Sequence, residues 1–274
     1  MSGIEDFLRE DIGQGDITSQ ALIGDRRGSA RIVTRQECVI AGLEEAGEAF
    51  TLLGLLVTPL VRDGERVSAG TAVLAVEGGL CSILAGERVA LNLLMRMSGI
   101  ATTTNDVLTA CRARNPGIII AATRKTTPGF RRYEKRAVVL GGGDPHRFGL
   151  DDAVLIKDNH LVVVGGITAA VTAGRKVSFT RKVEVEVTSL DGAEEAARAG
   201  ADIILLDNMS PGDALICSQA IKRIDRRIVV EASGGITPQT APDYAAAVDV
   251  ISLGWLTHSV RAADLSLDVT AVRD

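Results

Sequence analysis

The chain has 274 residues, 46% of them hydrophobic, which is enough apolar material for one barrel-sized unit plus a small accessory layer. A formal net charge of -5 and an aromatic content of 3% argue against nucleic acid as a partner, because phosphate backbones attract a basic face and bases stack on aromatic rings. The start of the chain lacks the pattern of a secretion signal, and no apolar run reaches membrane-spanning length. We therefore expect a cytoplasmic protein without a membrane contact.

Residues 1–98 predict a small α+β domain, because a helical start is followed by short strand-like runs, such as 30–34 and 38–41, that glycines separate. Near the end of this part, residues 87–97 (ERVALNLLMRM) predict a helix that is apolar on more than one face. Such a helix is expected to be buried between layers or subunits. The four cysteines have no metal-ligand spacing and are expected to be buried, reduced thiols.

From Ile118 onward, short runs rich in Ile, Val and Leu alternate with segments that suit helices, which is typical of parallel βα units. The predicted strands are 118–122, 153–156, 183–187, 203–206, 228–230 and 250–253. Six or seven strands, rather than eight, predict an open barrel. We assign it to residues 99–258 and expect the tail, 259–274, to pack back on the N-terminal domain.

Each predicted strand ends at a polar or glycine position, and in a barrel the carboxyl ends of all strands face one shared mouth. These positions are Arg124 and Lys125, Lys157, Glu186, Asp207, residues 233–235 and Gly254. Any one of them could cap a helix or form a surface ion pair. Their recurrence after successive strands instead predicts an active site.

The charges indicate the kind of substrate. Between residues 121 and 160, eight Lys and Arg face five Asp and Glu within an acidic protein, and arginine forks suit carboxylates and phosphates. Four of these cations, between residues 131 and 136, are instead expected to form a solvated helix face. Glu186 and Asp207 could hold Mg²⁺, directly or through water, or stabilise a developing positive charge.

Two glycine turns, at residues 233–235 and 252–254, follow the last two predicted strands, where barrels commonly bind phosphate. A helix is expected to begin near Thr237, after the first of these turns. A glycine pair alone is a weak signal, and its position at these strand ends strengthens it.

At this point the residues resemble a known family, the quinolinate phosphoribosyltransferases, in order and spacing over essentially the whole chain. The strings that carry the resemblance are EDIGQGDIT (10–18), GERVALNLLMRMSGIAT (86–102), TRKTTPGF (123–130), HR (146–147), LIKDNH (155–160), KVEVEV (182–187), AGADIILLDNM (199–209), EASGGI (231–236) and ISLGWLTHS (251–259).

The resemblance implies a type II phosphoribosyltransferase fold, an open α/β barrel with an N-terminal α+β domain, assembled as a homodimer with shared active sites. It implies conversion of quinolinate and phosphoribosyl pyrophosphate, with Mg²⁺, to nicotinate mononucleotide, pyrophosphate and carbon dioxide. Quinolinate would be bound by Arg88 of the neighbouring subunit together with Arg124, His146 and Arg147, and Thr123 would also bind substrate. Lys125 and Lys157 would bind anions of both substrates, and Glu186 and Asp207 would face the ribose and its Mg²⁺. The 5′-phosphate would be surrounded by Ser233, Gly234, Gly235, Ser252, Leu253, Gly254 and His258.

The implied mechanism is attack of the pyridine nitrogen on the anomeric carbon through an oxocarbenium-like transition state. The carboxylates of Glu186 and Asp207 would stabilise that positive charge, and Lys125 would stabilise the ring carbanion that the loss of carbon dioxide leaves.

Three alternatives remain open. A molybdenum-utilisation paralogue would share the barrel, but the unbroken KTTPG and IKDNH strings favour the quinolinate enzymes. An aldolase-like barrel would use Lys157 as a Schiff-base amine, which would leave the two carboxylates and the glycine turns unexplained. A non-catalytic protein would bind quinolinate without turning it over.

Overall fold

The computed structural model describes residues 3–273. The chain forms two compact units, and each unit is made of more than one stretch of the sequence. The first contains residues 3–105, 126–142 and 259–273, and the second contains residues 106–125 and 143–258. The domain boundaries expected at residues 98 and 258 stay predictions. None of the helices within residues 3–273 combines the length and apolarity needed to cross a bilayer.

The first unit is built on an antiparallel sheet whose strands pair in the order β12-β1-β5-β3. Its strands are β1 (Arg27–Thr34), β3 (Leu56–Pro59), β5 (Ala72–Gly79) and β12 (Leu265–Arg273), and a second small ladder joins β2 (Cys38–Val39) to β4 (Arg66–Val67). In β1, every second residue from Gly28 to Thr34 is buried, because successive side chains of a strand point to opposite faces. The last strand of the chain therefore pairs with the first.

The helices of the first unit are α1 (Ile4–Ile12), α2 (Ile17–Leu22), α3 (Leu43–Leu52), α5 (Arg131–Leu140) and most of α4 (Leu80–Arg112). The helix predicted at 87–97 is confirmed as part of α4, which is 33 residues long. Gly99 lies inside α4, where a Cβ would come within 2.2 Å of the Arg261 carbonyl oxygen. This glycine permits close packing and does not end the helix.

The solvated face predicted for residues 131–136 is wrong at Lys135, whose exposure is 2%. Its helix, α5, packs one basic side against acidic side chains of the first unit. The Arg136 guanidinium pairs with the carboxylates of Glu44, Glu45 and Asp63. Basic residues in a helical period therefore do not distinguish a solvated face from one that an acidic surface covers.

The second unit is a six-stranded parallel sheet in the order β6-β11-β10-β9-β8-β7. The strands are β6 (Ile119–Ala121), β7 (Val154–Ile156), β8 (Val183–Val187), β9 (Ile203–Asp207), β10 (Val229–Ser233) and β11 (Val250–Ser252). Each predicted run overlaps one of these strands, and β9 and β10 extend beyond the predicted ends. β6 and β7 form the two edges, and an additional bridge joins Ala121 to Asp144, so the sheet is the open barrel that the strand count predicted.

The connecting helices of the second unit are α6 (Asp158–Val164), α7 (Ile167–Gly174), α8 (Leu190–Ala199), α9 (Pro211–Ile224), α10 (Ala241–Tyr244) and α11 (Trp255–His258). The expectation of a helix beginning near Thr237 is wrong, because residues 237–240 form a turn, with Thr240 N donating to the Thr237 carbonyl, and α10 begins only at Ala241. All four cysteines are free, as expected, and all but Cys81 are buried.

Candidate active site

A cavity of about 540 Å³ lies at the carboxyl ends of the parallel strands of the second unit. The predicted site residues that line it are Thr123, Arg124, Lys125, His146, Arg147, Lys157, Glu186, Asp207, Ser233, Gly234, Gly235 and Ser252. It also has lining residues that were not predicted as site residues, namely Ala122, Leu155, Leu205, Asn208 and Glu231. The parallel barrel brings these distant segments together because every strand points its carboxyl end to the same side.

Arg124 and Arg147 both line the cavity, and their positive charges repel one another. Burial and the charge of neighbouring Arg124 lower the pKa of the Arg147 guanidinium, while Glu184 acts in the opposite direction. Lys157, just after β7, donates a hydrogen bond to the Glu186 carboxylate near the end of β8. Two adjacent arginines in one wall favour the binding of an anion, because an anion offsets their mutual repulsion.

The turn at residues 233–235 is held by Asn208, which directly follows β9. Asn208 has a left-handed backbone, with φ of 55°, and its N–H donates to the Ser233 carbonyl at 2.9 Å. Its side-chain amide donates to Asp207 Oδ2 at 2.7 Å. Gly234, with φ of 90°, leaves no room for a Cβ, which would come within 2.5 Å of Asn208 Oδ1. Asn208 therefore connects the glycine turn to the Asp207 carboxylate.

The second glycine turn is packed against Lys125. A Cβ on Gly254 would lie 2.9 Å from Lys125 Cδ and 3.1 Å from His258 Nε2. The Thr257 hydroxyl donates to the Lys125 carbonyl at 2.7 Å, and Leu253 N donates to the Ala121 carbonyl at 3.0 Å. Leu253, Gly254 and His258 do not line the cavity themselves. Leu253 and Gly254 follow the lining residue Ser252 in the chain, and Gly254 lies beside both the lining residue Lys125 and His258.

His146 belongs to a cluster of three titratable side chains, and it is the one member that the sequence predicted as a site residue. His146 Nε2 lies 3.6 Å from Glu184 Oε2 and 3.4 Å from Glu231 Oε2. The histidine has a left-handed backbone, with φ of 52°, and its N–H donates to Asp144 Oδ1 at 2.6 Å. Both glutamates are 2% exposed. Burial, and then the charge of Glu231, raise the pKa of Glu184 to about 8, against the opposing effect of His146 and nearby cations.

The strand register explains where this cluster lies. Glu184 is opposite Ile203, whereas both Glu186 and Glu231 are opposite Leu205. Because side chains two residues apart share a face, Glu184 lies one layer deeper in the barrel than Glu186. A signal was available in the sequence, since a strand predicted to be buried on both faces carries the two glutamates of VEVEV on one face.

Arg88 is in the first unit, on α4, and is not among the cavity's lining residues. Its side chain is 57% exposed, and its guanidinium lies 3.8 Å from Glu87 Oε1. The role expected for Arg88 in the site of a second subunit stays a prediction.

An open parallel α/β barrel with cations, two carboxylates and two glycine turns at its strand ends defines an enzyme that binds an anionic substrate. The chain belongs to the quinolinate phosphoribosyl transferase family: residues 16–98 match the model of the family's N-terminal domain, and residues 100–268 match that of its C-terminal domain. The family and fold class expected from the sequence are confirmed.

Relatives span the full chain. A Methanothermobacter thermautotrophicus protein named a probable nicotinate-nucleotide pyrophosphorylase (carboxylating) is 50% identical, with 100% of both chains covered. A Homo sapiens nicotinate-nucleotide pyrophosphorylase (carboxylating) is 40% identical over 98% of this chain and 91% of its own. The solved nicotinate-nucleotide pyrophosphorylase of Francisella tularensis is 39% identical, covers 97% of this chain and 94% of its own, and has a TM-score of 0.91.

Proposed function

We propose that the chain transfers the phosphoribosyl group of phosphoribosyl pyrophosphate to the ring nitrogen of quinolinate and releases pyrophosphate and carbon dioxide, which yields nicotinate mononucleotide. One observation carries the proposal: in a chain of this family, a single cavity combines a cationic wall with the carboxylates of Glu186 and Asp207. The names of the relatives, nicotinate-nucleotide pyrophosphorylases, describe the same reaction from its product.

Quinolinate has two carboxylates, and the cationic wall suits both. Arg124, His146 and Arg147 hold them in this proposal, with Thr123 beside them, and Arg88 of a second copy completes the site in a homodimer. The lowered pKa of Arg147 supports this assignment, because a bound dianion would relieve the repulsion between Arg147 and Arg124.

The 5′-phosphate of the sugar substrate is assigned to the two glycine turns, with Ser233, Gly234, Gly235 and Ser252 facing it and Leu253, Gly254 and His258 behind them. The close approach of Gly234 to Asn208 supports this assignment, since glycines have no side chain to keep their backbone amides away from phosphate oxygens. Lys125 and Lys157 contact the anionic groups of both substrates.

Phosphoribosyltransferases generally use a divalent metal ion, and we assign Mg²⁺ to Glu186 and Asp207, held directly or through water. The donor set fits a hard cation, because both residues offer carboxylate oxygens at the wall of one cavity. Bound there, Mg²⁺ would offset the negative charge of the leaving pyrophosphate.

In the proposed reaction the nitrogen lone pair of quinolinate forms a bond to the anomeric carbon. The bond from that carbon to the pyrophosphate oxygen breaks, and its electron pair leaves with pyrophosphate. Glu186 and Asp207 stabilise the positive charge that develops on the sugar. The bond to the 2-carboxylate then breaks, carbon dioxide leaves, and the electron pair remains on the ring carbon until that carbon is protonated.

Lys125 is assigned to stabilise this carbanion, and the contacts of its side chain with Gly254 and of its carbonyl with Thr257 support a defined position for it. The aldolase alternative is disfavoured because the Lys157 amine is engaged in an ion pair with Glu186, and a Schiff-base lysine must lose its proton to attack.

The test is to incubate the purified protein with phosphoribosyl pyrophosphate, Mg²⁺ and either quinolinate or nicotinate, and to measure the mononucleotide and carbon dioxide. We expect kcat/KM for quinolinate to exceed that for nicotinate by about a hundredfold or more, because a site built for a second carboxylate is left with unpaired cations by nicotinate. Arg147→Ala should reduce this preference, whereas Arg198→Ala, on the exposed side of α8, is the control and should not. Comparable turnover of nicotinate by the unaltered protein would contradict the proposal.

A further inference from the structure

Beside the cavity lie two buried carboxyl groups that the proposed reaction does not use. Glu184 and Glu231 approach the imidazole of His146 from β8 and β10, on either side of β9, and the three potential ligand atoms lie within 4.8 Å of one another. The second carboxyl oxygen of each glutamate, Oε1, is buried and has no hydrogen-bond partner in the described part of the chain.

Buried carboxyl groups that lack donors are costly unless a nearby positive charge compensates them. His146 Nε2 is within reach of both groups, at 3.6 and 3.4 Å, so a protonated imidazole would lie between them. Asp144, which accepts the backbone N–H of His146, is a third acid near the residue.

Nearby cations counteract the negative charge of these acids. Arg147 and Lys157 act electrostatically on Glu184, and Arg124 acts on Arg147. They compete with the imidazolium for the same negative charge. The His146 Nε2 atom is within 4 Å of a carboxylate oxygen of both glutamates, a range in which their charges act strongly on the imidazole.

We propose that Glu184 and Glu231 are a positioning pair that keeps His146 in its imidazolium form, so that the free enzyme presents a full positive charge to a carboxylate of quinolinate. The inference rests on the proposed function, in which His146 holds a substrate carboxylate. The pair acts on the substrate carboxylate through His146, although Glu231 also lines the cavity.

The pair has a measurable consequence. An ordinary histidine titrates near about 6.5 and is mostly neutral above pH 7, whereas an opposite charge within about 4–6 Å shifts titration upward by about 1–3 pH units. Because burial and the charge of Glu231 raise the pKa of Glu184 to about 8, Glu184 is largely protonated at pH 7, and Glu184→Gln should have a small effect there. The double variant, which removes both acids, should have a large one.

The first measurement is ¹⁵N-histidine NMR without substrates. The chain has three histidines, so His146→Gln assigns the signal. In the unaltered protein the His146 midpoint should lie above that of an ordinary histidine, and in the double variant it should fall by about one pH unit or more. A midpoint in the unaltered protein at or below the ordinary value overturns the proposal, even if the double variant does not fold.

The second measurement is the pH profile of KM for quinolinate. Above pH 7 the double variant should show KM raised about tenfold, with kcat and KM for phosphoribosyl pyrophosphate within about twofold of the unaltered enzyme. Below about pH 6 the defect should vanish, because His146 is then protonated without help. In a His146→Gln background, the two glutamine substitutions should not raise KM further.

Glu45→Gln is the matched control, because Glu45 is another buried glutamate, in the first unit, where it pairs with Arg136. It should leave KM for quinolinate unchanged at every pH. A defect of the double variant that is independent of pH would indicate a merely structural role and overturn the proposal. Absence of quinolinate turnover in the unaltered protein would instead contradict the proposed function, and the NMR titration would still decide whether the glutamates charge His146.

Discussion

Substitution of Gly234 by alanine tests the proposed phosphate turn most sharply. The backbone at Gly234 is left-handed, with φ of 90°, which costs a residue with a Cβ about 1–2 kcal/mol. The new Cβ would also come within 2.5 Å of Asn208 Oδ1 and 2.8 Å of Asn208 N. Rotation of the Asn208 side chain can relieve the first contact but not the second, so the turn itself must move.

The size of that movement follows from the geometry. Relief of the contact with Asn208 N requires a shift of about 0.6 Å to reach an ordinary 3.4 Å separation. Such a shift strains the hydrogen bonds that Asn208 makes to Ser233 and to Asp207. At about 1–1.5 kcal/mol for each, the loss is roughly 2–3 kcal/mol, which corresponds to a fall of about 30- to 150-fold in kcat/KM for phosphoribosyl pyrophosphate.

Gly165→Ala provides the matched control. Gly165 ends α6 with the same φ of 90°, but nothing lies within 4 Å of the Cβ that the substitution would add. It should lower the melting temperature through backbone strain alone and leave kcat/KM for phosphoribosyl pyrophosphate near that of the unaltered enzyme. Steady-state kinetics at saturating quinolinate, calorimetric titration of quinolinate and thermal melts distinguish the two effects. Equal kinetic losses in the two variants, or a Gly234→Ala defect confined to quinolinate binding, would refute the reasoning.

Two further predictions concern the carboxylates and the second copy. Glu186→Ala and Asp207→Ala should each lower kcat by roughly a hundredfold or more with little change in calorimetric quinolinate binding, because the charge they stabilise develops only in the transition state; near-normal turnover in both would show that the catalytic position is misassigned. Arg88→Ala and Lys125→Ala should each be nearly inactive, but co-refolded in equal amounts they should recover about a quarter of the original activity, since about half of the dimers would be mixed and each of those would have one intact site. If the co-refolded variants stay inactive while co-refolded unaltered protein recovers, Arg88 does not act across an interface.

Much of the barrel could be predicted from local pattern. Runs of β-branched residues separated by helix-compatible segments identified all six parallel strands, and the polar residue at each strand end identified most of the cavity wall. This works because strand periodicity is a property of adjacent residues, and because parallel strands place all their carboxyl ends on one side whatever the details of packing.

Predictions from the sequence fell short where segments distant in the chain pack around a residue. The helix predicted at 87–97 is only the middle of α4, which continues through Gly99, where the carbonyl of Arg261 lies so close that a Cβ would not fit. Lys135 has the spacing of a solvated residue, yet it is buried on the face of α5 that packs within the first unit. Neither outcome has a local signal, because the packing partner lies far away in the chain.

The sequence by itself therefore determined the family, the order of the parallel strands and most of the residues at the barrel mouth, since each depends on a short-range pattern or on motifs that are contiguous in the chain. Only the tertiary structure decided which buried charges meet. Glu184 and Glu231 are 47 positions apart by their numbering and lie on strands that β9 separates, opposite Ile203 and Leu205 respectively, yet both side chains reach His146. Strand register is set by packing across the whole sheet, which no single strand encodes.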